Sequence, residues 1–364
     1  MRIKAAVVRA KSGPFLLEDV DLDEPRESEV LVRVVGSGVC HTDLLARDQH
    51  IPVPLPGVFG HEGSGVVERV GSRVTKVRAG DPVVMSYLTC GSCPSCVQGR
   101  VSHCHNSGPT NFSGSRQDGS RTLKKGSEII HGSFFSQSSF ATYALATERN
   151  VVKVRSDVPL ELLGPLGCGI QTGAGSVINS LKPPIGSSIA VFGAGSVGQS
   201  AILAAAALGC STIIAVDIRP GRLQWAKEFG ATHVVHAGEQ SPVEAIRRIT
   251  GVGVDYSLEC VGESKVLRQA VDCLCIGGTC GLVGVAGAGV DAPLEMLHLL
   301  YARTVKGIVE GDSNPDVLIP QLIGLYKQGR FPFDRMIEMY PLEQINRAAE
   351  DSEKGRVLKP ILRP

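Results

Sequence analysis

Two rhythms of apolar and polar positions divide this chain. Through roughly the first 150 residues, short runs such as "EVLVRVVGSGV", "GSGVVERVG" and "GDPVVMS" mix apolar with polar or small residues and are separated by glycine and proline turns. That pattern predicts a compact, mostly β domain. From Ser187 the runs lengthen. Ile189 to Phe192 reads as a buried parallel strand, an alanine-rich helix follows, and "TIIAVD" is a second strand ending at Asp217. The alternation continues through "ATHVVHA", "PVEAIRRIT", "VDYSLECVG", "VLRQAVDCLCIGG" and "GTCGLVGV", the beat of a doubly wound parallel sheet. After about residue 305 the beat stops: "DVLIPQLIGLYKQG" predicts a helix, "MIEMYPLEQINRAAEDSEKG" a strand then a helix, and "RVLKPILRP" a last strand. This tail is expected to return to the first domain. The predicted boundaries are 1–165, 166–304 and 305–364.

The longest apolar run, "AILAAAALGCSTIIAV" from Ala201, is interrupted by Gly209, Cys210, Ser211 and Thr212. A helix followed by a strand fits it better than a membrane span. The opening "MRIKAAVVRAKSGPF" has no apolar stretch long enough for a secretory signal and reads as a first strand. A net charge of +1 over 364 residues, without a basic block, argues against nucleic acid as a partner. The expected setting is soluble and cytoplasmic, where thiols stay reduced and clustered cysteines bind metal rather than pair.

Gly193, Gly195 and Gly198 stand between the strand and the alanine-rich helix as G-x-G-x-x-G. In that setting the first glycine makes the tight turn, the second admits a pyrophosphate, and the third lets helix pack on strand, with the N–H groups of the helix start (Ser196, Val197) facing the phosphates. Asp217 ends the next strand, where a carboxylate binds the ribose hydroxyls of NAD and repels a 2′-phosphate. Arg219 and Arg222 stand close enough to soften that preference. The turn after "GLVGV", with Val283 and Val285, is expected at the carboxyl edge of the sheet beside the nicotinamide. Cys210, Cys260, Cys273, Cys275 and Cys280 read as small buried apolar side chains.

Cys90, Cys93, Cys96 and Cys104 are spaced C-x2-C-x2-C-x7-C. Four thiolates so placed close a tetrahedral structural zinc site. An iron–sulfur cluster is the rival, but its last gap is usually three and is followed by proline; His103 and His105 are then loop residues. A second donor set is scattered: Cys40 in "GVCHTD", His61 in "GHEGSGVV" and Cys168 in "LGPLGCGIQTGAGS". Two cysteines and a histidine leave a zinc ion one open position, where an alcohol oxygen can lose its proton near neutral pH. Asp43 either orients His61 through its far ring nitrogen or is a surface cap. Thr42 can accept the substrate proton or be an ordinary polar residue.

The segments "GVCHTD", "GHEGSGVVE", "CGSCPSCVQGRVSHC", "FFSQSSFATYA", "LGPLGCGIQTGAG", "GAGSVG" and "GRFPFDRMI" span nearly the whole chain. On them the chain resembles the zinc-containing medium-chain alcohol dehydrogenases, and within these the aryl- and allylic-alcohol branch of benzyl alcohol and geraniol dehydrogenase type. The resemblance implies an α/β protein with a GroES-like, mostly β catalytic domain and a doubly wound, parallel-sheet Rossmann domain. It implies two zinc ions per chain, a catalytic one on Cys40, His61 and Cys168 and a structural one on the four clustered cysteines. Glu62 would be a close neighbour able to approach the catalytic ion. It further implies NAD, a cleft between the domains that closes on it, and a homodimer or homotetramer. Two positions depart from the better-known liver-type pattern. Leu45 replaces the proton-relay histidine, with His50 out of register, so the proton would leave Thr42 through the ribose or water. Lys359 replaces the arginine that contacts the pyrophosphate; His41 can supplement it or be a half-exposed loop residue.

The expected reaction is reversible oxidation of a primary aromatic or allylic alcohol to its aldehyde, with hydride passing from the carbinol carbon to nicotinamide. Tyr87, Phe112, Phe134, Phe135 and Phe140 are candidates for an apolar substrate pocket, or core. The alternatives are a polyol or other secondary-alcohol dehydrogenase, and a zinc-stabilised NAD(P)H-binding sensor without turnover, which would have no need of an open metal.

Overall fold

The computed structural model describes every residue from Met1 to Pro364. The chain divides into two units: one of Met1–Gly169, Asn314–Pro320 and Asp334–Pro364, the other of Ile170–Ser313 and Gln321–Phe333.

The first unit is built on two sheets. One has five strands in the order Gly57–Val58, Arg2–Val8, Phe15–Leu22, Leu123–Lys125, Glu128–Ile130. The other has seven, and its centre decides the chemistry. Glu29–Gly38 lies between Glu62–Val70 on one side and the tail strand Lys359–Arg363 on the other. It is buried along most of its length, Val30 and Val32 completely, so its valine-rich sequence follows from packing on both faces. Its pairing with Glu62–Val70 shifts register between Leu31 and Val32 and again between Val34 and Gly36. Such irregularities bend a strand and re-aim the residues beyond them. After the second shift Gly38 faces Glu62 on one neighbour and Ile361 on the other. The sheet therefore brings residues from the beginning and the end of the chain beside the strand that leads into Cys40. Aromatic residues Phe15, Phe59, Phe134 and Phe140 fill the main core of this unit.

The second unit carries six parallel strands in the order His233–His236, Thr212–Asp217, Ser188–Phe192, Val254–Glu259, Leu274–Leu282, Thr304–Gly307. Thr212–Asp217 and Val254–Glu259 flank Ser188–Phe192 on opposite sides, which creates a crevice at its carboxyl end. The run from Ala201 forms the end of the helix Ser196–Leu208 and then the strand Thr212–Asp217. No helix is long and apolar enough to cross a membrane. Of the five cysteines expected to be core, Cys210, Cys273 and Cys280 are buried, whereas Cys260 and Cys275 are partly exposed. Cys275 lies 3.8 Å from the Asp255 carboxylate at an exposed strand position, where strand alternation turns its side chain away from the core.

Candidate active site

Cys40 caps the start of the helix His41–Arg47. Asp43, three residues on, folds back so that its Oδ2 accepts from the Cys40 N–H at 3.0 Å. Its Oδ1 accepts from the Gly60 N–H at 3.0 Å and pairs with His61 Nδ1 at 2.8 Å. Asp43 and His61 are both completely buried, so of the two positions open to Asp43 the structure adopts the interior one. With Nδ1 committed to the carboxylate, Nε2 is left with its lone pair. That nitrogen is buried and has no hydrogen-bond partner, an arrangement that costs about 1 to 3 kcal/mol unless a cation completes it.

Donor atoms of Cys40, His61, Glu62 and Cys168 all lie within 4.8 Å of one another. Burial opposes protonation of His61, yet Asp43 and the Cys40 sulfur hold its pKa well above the usual imidazole value. A hydrogen bond from Cys168 draws the Cys40 thiol well below its ordinary range against the effect of burial, helped by His61 and Lys359. Sulfur, imidazole and sulfur converging in a largely buried site suit zinc. Asp43→Asn is expected to weaken zinc binding at this site by about tenfold to a hundredfold, read by competition with a chelator.

Phe135 stacks on the His61 ring with centroids 4.4 Å apart and planes at 25°. It sits in a loop where Ser133, Phe135, Ser136 and Ser138 all have left-handed backbone, φ between 50° and 59°. Gln137 of the same loop accepts from the Gly63 N–H at 3.1 Å and donates to the carbonyls of His61 and Ser86 at 2.9 and 3.2 Å. Phe134 and Phe140 are fully buried core, whereas Phe135 and Tyr87 keep about 6% of their surface and Phe112 is partly buried. Thr42 Oγ1 is 3.8 Å from Cys40 Sγ. His41 is exposed.

Lys359 is engaged otherwise than the phosphate contact expected of it. Its side chain is 2% exposed, and its Nζ donates to both Glu62 oxygens at 3.0 Å and to the Val39 carbonyl at 3.3 Å. An ammonium has three donors, and all three are taken, so none remains for a phosphate. Against burial, Glu62 and the Cys40 sulfur hold Lys359 above the usual lysine pKa.

The four clustered cysteines also bring their sulfurs within 4.8 Å of one another. Backbone N–H groups point at them: Cys90 at Cys104 Sγ (3.3 Å), Cys93 at Cys90 Sγ (3.4 Å) and His105 at Cys93 Sγ (3.5 Å). The Ser92 N–H, the Asn106 side chain and the Cys93 N–H draw Cys90 down to about 5. Burial, then Cys93, pushes Cys96 up to about 12. Four sulfurs this close become thiolates together only around a cation.

In the second unit, Gly193 turns with φ +88° and the helix Ser196–Leu208 starts without a side-chain cap. A Cβ on Gly198 would stand 1.9 Å from the Gly193 carbonyl oxygen, so helix and strand approach only because that position is glycine. Gly198→Val is therefore expected to abolish dinucleotide binding, measured by calorimetric titration with NAD. Beside Gly195 there is open space, its nearest neighbour being the Arg222 guanidinium at 3.9 Å. Asp217 Oδ2 accepts from the Ala194 N–H at 2.7 Å and Oδ1 from the Arg219 N–H at 2.9 Å. The Arg222 guanidinium stands 3.7 Å from Asp217, with Nε buried and unpartnered. Val283 and Val285 follow the carboxyl end of the strand Leu274–Leu282, Val285 exposed. A parallel sheet with its glycine turn, helix start and acid at the switch point makes a dinucleotide site, and the first unit makes a closed and an open zinc site. Together they define a zinc-dependent, nicotinamide-linked dehydrogenase.

Residues 26–156 match the alcohol dehydrogenase GroES-like domain family and residues 196–325 the zinc-binding dehydrogenase family. A geraniol dehydrogenase from Castellaniella defragrans is 46% identical over 363 residues, 99% of this chain and 97% of that protein. Two crystal structures superpose over the full length of this chain and 99% of their own. They are an alcohol dehydrogenase zinc-binding domain protein from Burkholderia ambifaria (TM-score 0.98, 55% identity) and a benzyl alcohol dehydrogenase from Acinetobacter calcoaceticus (TM-score 0.97, 49% identity). The chain belongs to the zinc-containing medium-chain alcohol dehydrogenases, in the aryl- and allylic-alcohol branch that holds these relatives.

Proposed function

We propose that the protein oxidises a primary aromatic or allylic alcohol to its aldehyde, reversibly and with NAD, at the site formed by Cys40, His61 and Cys168. The carrying observation is the buried, unpartnered His61 Nε2 converging with two sulfurs. When bound, zinc supplies an electrophile that lowers the pKa of an alcohol oxygen, and NAD supplies the hydride acceptor. Asp43 fixes the ring orientation and tautomer of His61. Thr42 Oγ1 takes the substrate proton as it passes its own on, to ribose or water, because Leu45 offers no base. Buried aromatic side chains keep bulk water from the reacting carbon.

The aromatic or allylic preference rests on the named relatives, which share nearly half of this sequence, and on Phe135 beside the metal ligands, with Tyr87 and Phe112 as further lining candidates. Initial rates on benzyl alcohol, geraniol and sorbitol with NAD, followed as NADH absorbance, test it. Fast oxidation of the first two and none of sorbitol is expected; the reverse order would contradict the reading. The carboxylate at Asp217 supports NAD over NADP, and Asp217→Ser is expected to reduce the ratio of their kcat/KM values by about tenfold or more.

We also assign a homodimer or homotetramer and a cytoplasmic setting, in which the eleven cysteines stay reduced. Support for self-association comes from the second unit. Thr304–Gly307 is an open edge strand, and the helix Met296–Leu300 before it buries none of its residues. Met296, Leu297, Leu300 and Tyr301 are all more than half exposed. Exposed apolar side chains next to an unpaired strand edge are a surface that another chain covers. Sedimentation of Leu300→Glu is expected to show a shift toward monomer.

A further inference from the structure

Glu62 is the one carboxylate of the four-residue donor cluster, and its hydrogen-bond partners Lys359 and Gly169 lie outside that cluster. Its carboxylate accepts from Lys359 Nζ through both oxygens at 3.0 Å and from the Gly169 N–H through Oε1 at 2.9 Å. Glu62 and Lys359 are both buried, and they are 297 residues apart in sequence. The space they occupy is shaped for them. A Cβ on Gly38 would lie 2.1 Å from Glu62 Oε2, and one on Gly169 would lie 3.0 Å from Glu62 Oε1 and 3.3 Å from Lys359 Nζ. Gly38 stands between the strands of Glu62 and Lys359, so the two charged side chains meet across a position in the middle strand that has no side chain.

A carboxylate this close to two thiolates and an imidazole is itself a good zinc ligand, and a fourth protein ligand would close the site to substrate. A buried carboxylate also requires a cation beside it. Either Lys359 or the metal can fill that requirement. With Lys359 in place and donating to both oxygens, the requirement is met without the metal.

We propose that Lys359 is a positioning residue that holds Glu62 out of the zinc ligand set and so keeps the fourth position on the Cys40–His61–Cys168 ion open for the alcohol oxygen. This inference rests on the zinc assignment made above. It gives the lysine a task inside the catalytic unit in place of contact with the dinucleotide phosphates.

The test loads the full-length protein with Co2+ and titrates it with imidazole, following the visible spectrum. The four-cysteine site has no open position, so the imidazole-dependent change reports the other site alone. The parent is expected to bind imidazole with a clear spectral shift. Lys359→Met is expected to bind it about tenfold or more weakly, with a cobalt spectrum already altered before imidazole is added. The double variant Glu62→Gln, Lys359→Met removes both charges and is expected to regain parental imidazole binding, which a merely structural lysine would not predict. Lys359→Gln, a gentler change to the interior, is expected to weaken imidazole binding as well. Imidazole binding as tight in Lys359→Met and Lys359→Gln as in the parent would overturn the proposal, and so would a double variant as weak as the single one. A parent without cobalt–thiolate absorption beyond that of a Cys168→Ser variant would instead overturn the zinc assignment on which the proposal rests.

Discussion

Cys168→Ser is expected to lower alcohol oxidation by more than about a thousandfold, on the order of 4 kcal/mol of barrier, while NAD binds as before. A serine hydroxyl is un-ionised near neutral pH and is a poor replacement for thiolate on zinc. Cys168 belongs to the first unit, and the glycine turn at Gly193–Gly198 to the second, so the dinucleotide site has its own supporting residues. Turnover, metal analysis and calorimetric titration with NAD check the three parts of this prediction. Zinc should fall from about two ions per chain to one. A variant that retained full turnover would remove the open-metal argument.

Cys104→Ser is expected to produce the largest loss of stability. The segment it closes has little else to hold it: Pro94–Val97 and Val101–His103 are single helical turns, and Val97 is 73% exposed. The buried surface around these turns is largely the cysteines themselves. Opening such a crosslink costs about 2 to 5 kcal/mol by comparison with loss of a native disulfide, which lowers the thermal midpoint by roughly 10 °C. The damage should stop at Leu88, whose N–H and carbonyl are tied to the Asn111 amide at 2.9 and 3.0 Å. Hydrogen exchange should therefore rise between residues 90 and 106 and stay low on either side. Differential scanning calorimetry of the zinc-loaded protein checks the magnitude. An unchanged midpoint would mean that the cluster carries no structural ion.

The features visible in the sequence are those the chain writes locally. The parallel sheet was legible because each strand from Ser188–Phe192 through Val254–Glu259 is followed shortly by its own helix, and the glycines, helix start and Asp217 fall within one supersecondary unit. The four-cysteine cluster was legible because its ligands lie within fifteen residues. Cys40, His61 and Cys168 could be named, but not the reason they converge, which lies in two register shifts of the strand Glu29–Gly38. Lys359 shows the limit most clearly. A lone lysine near the end of a chain gives no sign of which charge it meets, and its partner lies 297 residues away. Gly38 reads as one more small residue in a strand until the side chains crossing it are seen. Phe135 and Gln137 were missed as supports of His61. A glutamine set among aromatic and serine residues in "FFSQSSF" was the available signal, but the left-handed turns that aim the loop have no mark at residues other than glycine.

The most direct measurement is anomalous diffraction at the zinc absorption edge from crystals of the purified protein. Two peaks per chain are expected, one enclosed by Cys90, Cys93, Cys96 and Cys104, the other bound by Cys40, His61 Nε2 and Cys168 with one side left to solvent or substrate. A single peak at the four cysteines, with Cys40, His61 and Cys168 lacking metal in fully loaded and active protein, would contradict the open zinc site and the chemistry assigned to it.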